Sequence, residues 1–247
     1  MSGRRRTASG ESRGAGVHGQ PRSDRRAGGG SGGGPPENRD ARRRSHGQNF
    51  LHDGRLARLI ASTFGSGDLV LDLGAGRGAF TLPLAQRGAR VVAVEADPEW
   101  AHLLREKVAG AGLSSRVTVV AGDFLETPLP REPYRVVSGL PFNRTTALLR
   151  RLLDDPDEGP DRCDLVVQWE VGRKRAAQPP TTLLSASWAP WWCVEVVCPV
   201  PRAAFRPVPA VDAAWLTVTR RDPPVLPAAA RAEFTAYLES VWPARAW

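Results

Sequence analysis

The chain has 247 residues, 41% of them hydrophobic, and a formal net charge of +8. It is long enough for one sizeable core, and no run reaches the roughly 18 apolar residues that a membrane-spanning helix needs. Three cysteines, Cys163, Cys193 and Cys198, are too few and too irregularly spaced for a zinc site or a disulfide framework, so no metal is expected. The Arg-rich start leads into Gly and Ser rather than an apolar stretch, which excludes a secretory signal and predicts a soluble, cytoplasmic chain with reduced thiols.

The charge is uneven. Residues 1–44 hold 11 Arg against 4 acids and 11 of the 25 Gly, which leaves +1 for residues 45–247, the difference between +8 and +7. This Arg/Gly-rich segment cannot bury enough apolar surface to offset the entropy of ordering, and is predicted to be a disordered tail. It suits phosphate contacts to nucleic acid; a solubilising tail without a specific partner is the other reading. Arg55 to Thr63 then suits a helix with Asp53 as N-cap. "DLVLDLGAGRGAF" (68–80) reads as an apolar strand, a glycine turn and a helix start. "ARVVAVEADPEW" (89–100) gives a second strand ending in acids, with Pro98 in the first turn of a helix. "RVTVVAGDF" (116–124) and "YRVVSGLPF" (134–142) are a third and a fourth strand, and "RTTALLRRLL" (144–153) is an amphipathic helix. "CDLVVQWE" (163–170) is a fifth strand. "WWCVEVVCPV" (191–200) and "AWLTVTRR" (214–221) form a terminal antiparallel pair joined by 201–212, and 228–242 suits one last helix. Strands alternating with helices predict a mostly parallel sheet covered on both faces.

Four places carry chemistry. The glycines of Asp72-Leu73-Gly74-Ala75-Gly76-Arg77-Gly78 let the backbone approach a ligand at a strand-to-helix turn. Their spacing is not the dinucleotide pattern, and the acid at Asp72 suits a cationic ligand better than a phosphate; S-adenosylmethionine is cationic and has no phosphate. Glu95 closes the second strand 21 residues after Gly74, where an acid can accept hydrogen bonds from ribose hydroxyls; Asp97 competes weakly for that role. Asp123 closes the third strand and can accept from the exocyclic amine of a cofactor adenine. In "SGLPF" (138–142) the Pro fixes chain direction, neighbouring carbonyls can orient an adenine N6, and Phe142 can stack on the base, worth ~1–3 kcal/mol. A tight turn, an exposed acid and a core Phe are the bland readings of these residues.

Taken in order, "GQNFL" (47–51), "DLGAGRGAFT" (72–81), "VEAD" (94–97), "GDF" (122–124), "GLPF" (139–142) and "FRPVPAV" (205–211) resemble the Erm rRNA adenine-N6 methyltransferases, relatives of the KsgA small-subunit rRNA dimethyltransferases. "VQWEVGRKRA" (167–176) resembles the Erm branch. The resemblance covers residues 42–220. It implies an α/β class I methyltransferase domain over 45–221, with a seven-stranded, mostly parallel, Rossmann-like sheet and helices on both faces. It implies methyl transfer from S-adenosyl-L-methionine to N6 of an adenine in 23S rRNA, blocking macrolide, lincosamide and streptogramin B binding, by an enzyme expected to be a monomer. It assigns Gln48, Asn49, Leu51, Gly74, Gly76, Glu95 and Asp123 to the cofactor, and Gly139, Leu140, Pro141 and Phe142 to catalysis, with Gly139 also near the cofactor. Arg173, Lys174 and Arg175 suit RNA phosphates, or else form a solvated basic turn. A KsgA-like 16S enzyme and a non-catalytic RNA-binding scaffold are the alternatives.

Two departures stand out. Gly139 replaces the family's Asn, leaving backbone carbonyls as acceptors for N6. Only 36 residues follow Val211, so residues 222–247 are predicted to supply a short helical region rather than a helical bundle; either the RNA-binding part is truncated or the N-terminal Arg/Gly tail compensates.

Overall fold

Apolar runs rich in Val and Leu, each followed by a helix or a turn, build the sheet. The computed structural model describes residues 50–139 and 141–242. The Arg/Gly-rich segment 1–44, Gln48, Asn49 and Leu140 lie outside the described residues. The strands are β1 (Phe50–Leu51), β2 (Leu69–Leu73), β3 (Arg90–Glu95), β4 (Val117–Ala121), β5 (Arg135–Ser138), β6 (Arg162–Gln168), β7 (Trp192–Val200), β8 (Phe205–Arg206) and β9 (Ala213–Arg220). The helices are α1 (Gly54–Ala61), α2 (Thr81–Gln86), α3 (Pro98–Gly110), α4 (Thr145–Leu153), α5 (Trp169–Ala176), α6 (Leu183–Trp188) and α7 (Arg231–Val241). None of them is long and apolar enough to cross a membrane.

Seven strands form one sheet in the order β4-β3-β2-β5-β6-β9-β7. The first five are parallel. β9 runs antiparallel between β6 and β7, so the expected terminal pair is present and built into the sheet. The chain enters this sheet at β2, winds outward to β4, then returns to β5 on the other side. That reversal puts a crevice at the carboxyl ends of β2 and β5, the place where open α/β sheets bind ligands.

Alternate residues of each strand feed two cores. Val70, Val91 and Val137 join Phe64, Leu104, Phe205 and Trp215 on one face. Leu71, Leu73 and Val136 join Leu148, Trp188, Trp192 and Leu216 on the other. Burial on both faces is why these strands read as continuous apolar runs rather than as alternation.

The elements differ from expectation in three places. The strand expected over 163–170 ends at Gln168, because the Trp169 N–H turns to donate to the Asp212 carbonyl (2.9 Å) and starts α5. Gly172 lets α5 lie against β9: a Cβ there would stand 3.0 Å from that of Ala214. Helix α6, six residues long, was not expected; the Thr182 hydroxyl caps it by accepting from the Ser185 N–H. Finally, the connection 201–212 contains β8, which pairs antiparallel with β1: Phe50 with Arg206 and Leu51 with Phe205. The last helix lies inside the predicted range, and Asp53 caps α1 as expected, its carboxylate accepting from the Arg55 and Leu56 N–H groups.

Candidate active site at the carboxyl edge of the sheet

The turn after β2 is built by three left-handed glycines, Gly74 (φ 78°), Gly76 (φ 50°) and Gly78 (φ 80°). A side chain at any of them would be strained. A Cβ at Gly78 would also meet Leu104 Cδ1 of α3 at 2.6 Å, and one at Gly76 would meet the Phe50 ring at 2.9 Å. The turn therefore lies pressed between α3 and the first described residue of the chain. The Gly74 and Ala75 N–H groups donate to the Val94 carbonyl, which ties the turn to β3.

Glu95 at the end of β3 completes that tie. One carboxylate oxygen accepts from the Gly76 N–H (2.8 Å), the other from the Asp97 N–H (2.9 Å). The residue is 6% exposed, and burial raises its pKa against the pull of those two N–H groups. Asp97 is the N-cap of α3, so it is occupied locally and is a poorer ligand contact than Glu95. Asp72 stands behind the turn, fully buried. Its Oδ2 accepts from the Thr81 hydroxyl at 2.5 Å, while Oδ1 has no partner among the described residues. Burial pushes its pKa up to about 7. Asp72, the acid that the sequence suits to a cationic ligand, thus sits beneath the glycine turn.

Asp123, past the end of β4, is engaged by a residue the sequence reading missed. Arg144 donates to both of its oxygens (2.8 and 2.7 Å), and the Leu125 N–H donates to Oδ1. The Leu125 N–H, and then the Arg144 guanidinium, hold the Asp123 carboxyl below its ordinary pKa. Arg144 also lies over the Phe124 ring, 4.9 Å from its centre. Arg144 directly follows the Pro141–Phe142 turn, and the ends of β4 and β5 bring Asp123 and Arg144 to one edge.

The fourth motif starts beside the first. Leu73 pairs with Ser138, and the Ser138 hydroxyl donates to the Leu73 carbonyl (2.7 Å), so Gly139 and Gly74 leave the sheet side by side. Pro141 leads into a single 3-10 turn, Phe142–Arg144. The half-buried Phe142 ring meets Phe205 edge to face, with centroids 6.1 Å apart at 77°. Phe205 belongs to β8, whose partner β1 carries Leu51. The expected motif "FRPVPAV" thereby gains a structural role. It props Phe142 and pairs with Phe50 and Leu51, while the Ala204 carbonyl just before it accepts from the His52 and Asp53 N–H groups. Phe50 also packs on Trp100 (5.2 Å), and Arg77 lies over the Trp100 ring at 4.7 Å.

The basic cluster is split by its helix, because successive residues on a helix point in different directions. Arg173 is exposed and lies 3.5 Å from Glu170. Arg175 turns inward, donating to the Thr182 and Ser185 hydroxyls. The three do not form one patch.

The strand order, the antiparallel β9 and a glycine turn tied to an acid on the neighbouring strand define a class I methyltransferase fold. Residues 39–243 match the family described as ribosomal RNA adenine dimethylase, and the chain belongs to that family. An rRNA adenine N-6-methyltransferase of Corynebacterium diphtheriae is 37% identical over 207 residues, covering 82% of this chain and 78% of the relative. The mycinamicin-resistance protein MyrB of Micromonospora griseorubida is 42% identical over 184 residues, covering 73% of this chain and 56% of its own length. A ribosomal RNA small subunit methyltransferase A of a Synechococcus strain is 33% identical over 196 residues, covering 74% and 68%. The crystal structure of the 23S rRNA methyltransferase ErmE superposes with a TM-score of 0.69 at 34% identity, over 77% of this chain and 78% of that one. The chain thus spans between about half and four fifths of the lengths of these relatives.

Proposed function

We propose that the chain transfers a methyl group from S-adenosyl-L-methionine to N6 of an adenine in 23S rRNA and thereby confers macrolide, lincosamide and streptogramin B resistance, acting as a cytoplasmic monomer. One observation carries the reading. The glycine turn after β2, Glu95 at the end of β3 and the Pro141–Phe142 turn after β5 open on the same edge of adjacent strands. The relatives named for 23S rRNA methylation and for drug resistance favour the large-subunit substrate.

The residues present fit the cofactor. The glycine turn leaves bare backbone at Gly74 and Gly76. Each Glu95 oxygen accepts one N–H and keeps a lone pair for a ribose hydroxyl. The unpartnered Asp72 Oδ1 is a further acceptor behind the turn. Leu51 on β1, with Gln48 and Asn49 just before it in the sequence, would border the cofactor, and Gly74 and its neighbours would pass beneath its methionine part. Asp123 would accept from the cofactor adenine on a lone pair that Arg144 and Leu125 leave available. When bound, the cofactor supplies an electrophilic methyl carbon on a positively charged sulfur.

The chain's own task is to present the base. Phe142, braced by Phe205, stacks on an adenine turned out of the RNA. The carbonyls of Gly139 and Leu140 accept the two N6 hydrogens, which aims the nitrogen lone pair at the methyl carbon. With the cofactor bound, that lone pair would take the methyl group as its bond to sulfur breaks. The alkylated nitrogen is then cationic and strongly acidic, so its proton passes to water and no early general base is needed. Arg173, Lys174 and Arg175 would contribute phosphate contacts from α5.

The test is methyl-labelled cofactor with protein-free 23S rRNA and, separately, with 16S-containing particles, followed by mapping of the modified nucleotide. Label on N6 of a 23S adenine is expected. Label only on 16S adenines would move the chain to the small-subunit branch, and no transfer to any adenine would end the proposal.

A further inference from the structure

A cavity of about 510 Å³ lies between α4, α5, α6 and α7, and none of the glycine-turn residues lines it. Its walls carry four cationic side chains, Arg150, Lys174, Arg175 and Arg231, and three indoles, Trp188, Trp191 and Trp242. Among the described residues, five buried side-chain atoms have no hydrogen-bond partner, and three of them belong here: Arg175 Nε, Trp191 Nε1 and Trp242 Nε1. All three are donors. These three atoms are enclosed by protein, and it is the cations and indoles of the wall that call for an acceptor-rich occupant.

The charge says the same. Arg175 is half-buried, its guanidinium contacts only the Thr182 and Ser185 hydroxyls and the Trp188 ring (5.7 Å), and no carboxylate pairs with it among the described residues. Burial and the neighbouring Arg150 both lower its pKa, a cation crowded by a cation. The acids at the wall do not neutralise this. Asp154 already accepts from the Trp188 indole (2.8 Å) and Arg150 (3.5 Å), and Glu239 is exposed on α7. The ligand is therefore an acceptor-rich anion with a flat face to lay against indoles, which describes a nucleotide within a nucleic-acid strand. Position agrees. Thr146 lines the cavity in the first turn of α4, just after Phe142–Arg144, and Asp154 lines it eight residues on, about 12 Å further along the helix at 1.5 Å per residue.

We infer that this cavity holds a nucleotide of the RNA strand near the target adenine, with its phosphate on Arg150 and Arg175 and its base against the tryptophans. The inference rests on RNA being the substrate and adds a second anchoring point beyond Phe142.

The experiment measures binding of a labelled, protein-free 23S rRNA fragment to the full chain across a salt series, for wild type, Arg150→Gln, Arg175→Gln and Arg175→Lys. Arg87→Gln, an exposed arginine at the end of α2 that does not line the cavity, serves as the comparison. Losing one charge-assisted contact should weaken RNA binding about tenfold and flatten the slope of log K against log salt by about 0.7. Arg150→Gln and Arg175→Gln should do both, Arg175→Lys should keep the slope, and cofactor Kd should stay at the wild-type value. RNA affinity unchanged in both Gln variants, or lowered equally by Arg87→Gln, would overturn the inference; Arg150, exposed on α4, guards against a loss that comes only from misfolding. Methylation is read separately. Wild type that methylates RNA while its affinity ignores Arg150 and Arg175 sinks the cavity alone; wild type that binds RNA through them and transfers no methyl to any RNA sinks the activity alone.

Discussion

Asp72 is the residue with the clearest thermodynamic signature. Its carboxyl is fully buried, shares one hydrogen bond with Thr81, and has a pKa pushed up to about 7 by burial. A carboxyl whose folded pKa exceeds its unfolded value stabilises most below the unfolded pKa, near 4, and that stability is lost as pH rises through about 7. A shift of that size amounts to about 4 kcal/mol. Asp72→Asn removes the titration, so its stability relative to wild type should rise by that order between pH 4 and pH 8. Denaturant unfolding of both proteins at the two pH values checks this, and parallel pH dependences would refute the assignment. At this scale much of the site was legible. Gly74, Gly76 and Glu95 stand together because backbone freedom and strand-end position are written in the local sequence. Arg144 was not, because its partner Asp123 lies 21 residues away and pairing across strand ends follows from the sheet order. The inward turn of Arg175 was hidden likewise, since it depends on α6, which supplies Thr182 and Ser185.

Among the elements, the turn after β5 and the start of α2 are coupled. A Cβ at Gly139 would stand 3.3 Å from the Phe80 ring, and Phe80 is the buried N-cap residue of α2. The glycine is thus matched to a bulky neighbour, and adding the family's Asn requires the ring to give by a few tenths of an ångström. Gly139→Asn combined with Phe80→Leu should raise turnover about fivefold, the worth of roughly one added hydrogen bond to N6, and Gly139→Asn alone should gain less. Single-turnover methylation measures both; equal rates in all three proteins would mean that the backbone acceptors suffice. The long apolar strands and the capped helices were readable because their pattern is local. Helix α6 and strand β8 were not: six and two residues carry too little periodicity, and both exist because neighbours bind them.

For the whole molecule, the fold class follows from alternation of strands and helices, while the insertion of β9 between β6 and β7 rests on long-range pairing that no local pattern dictates. The same holds for the small ribbon of β1 and β8. It joins Leu51 to Phe205 across most of the domain, and a pair this short has no stability apart from the sheet that brings its ends together. Amide hydrogen exchange should therefore find His52 and Asp53, bonded to the Ala204 carbonyl, opening well ahead of Gly74 and Val91, bonded within the seven-stranded sheet. Equal protection would show that ribbon and sheet open as one unit. Phe50 on the ribbon covers Gly76, so if the ribbon does open first, the glycine turn is bared while the strands behind it stay paired.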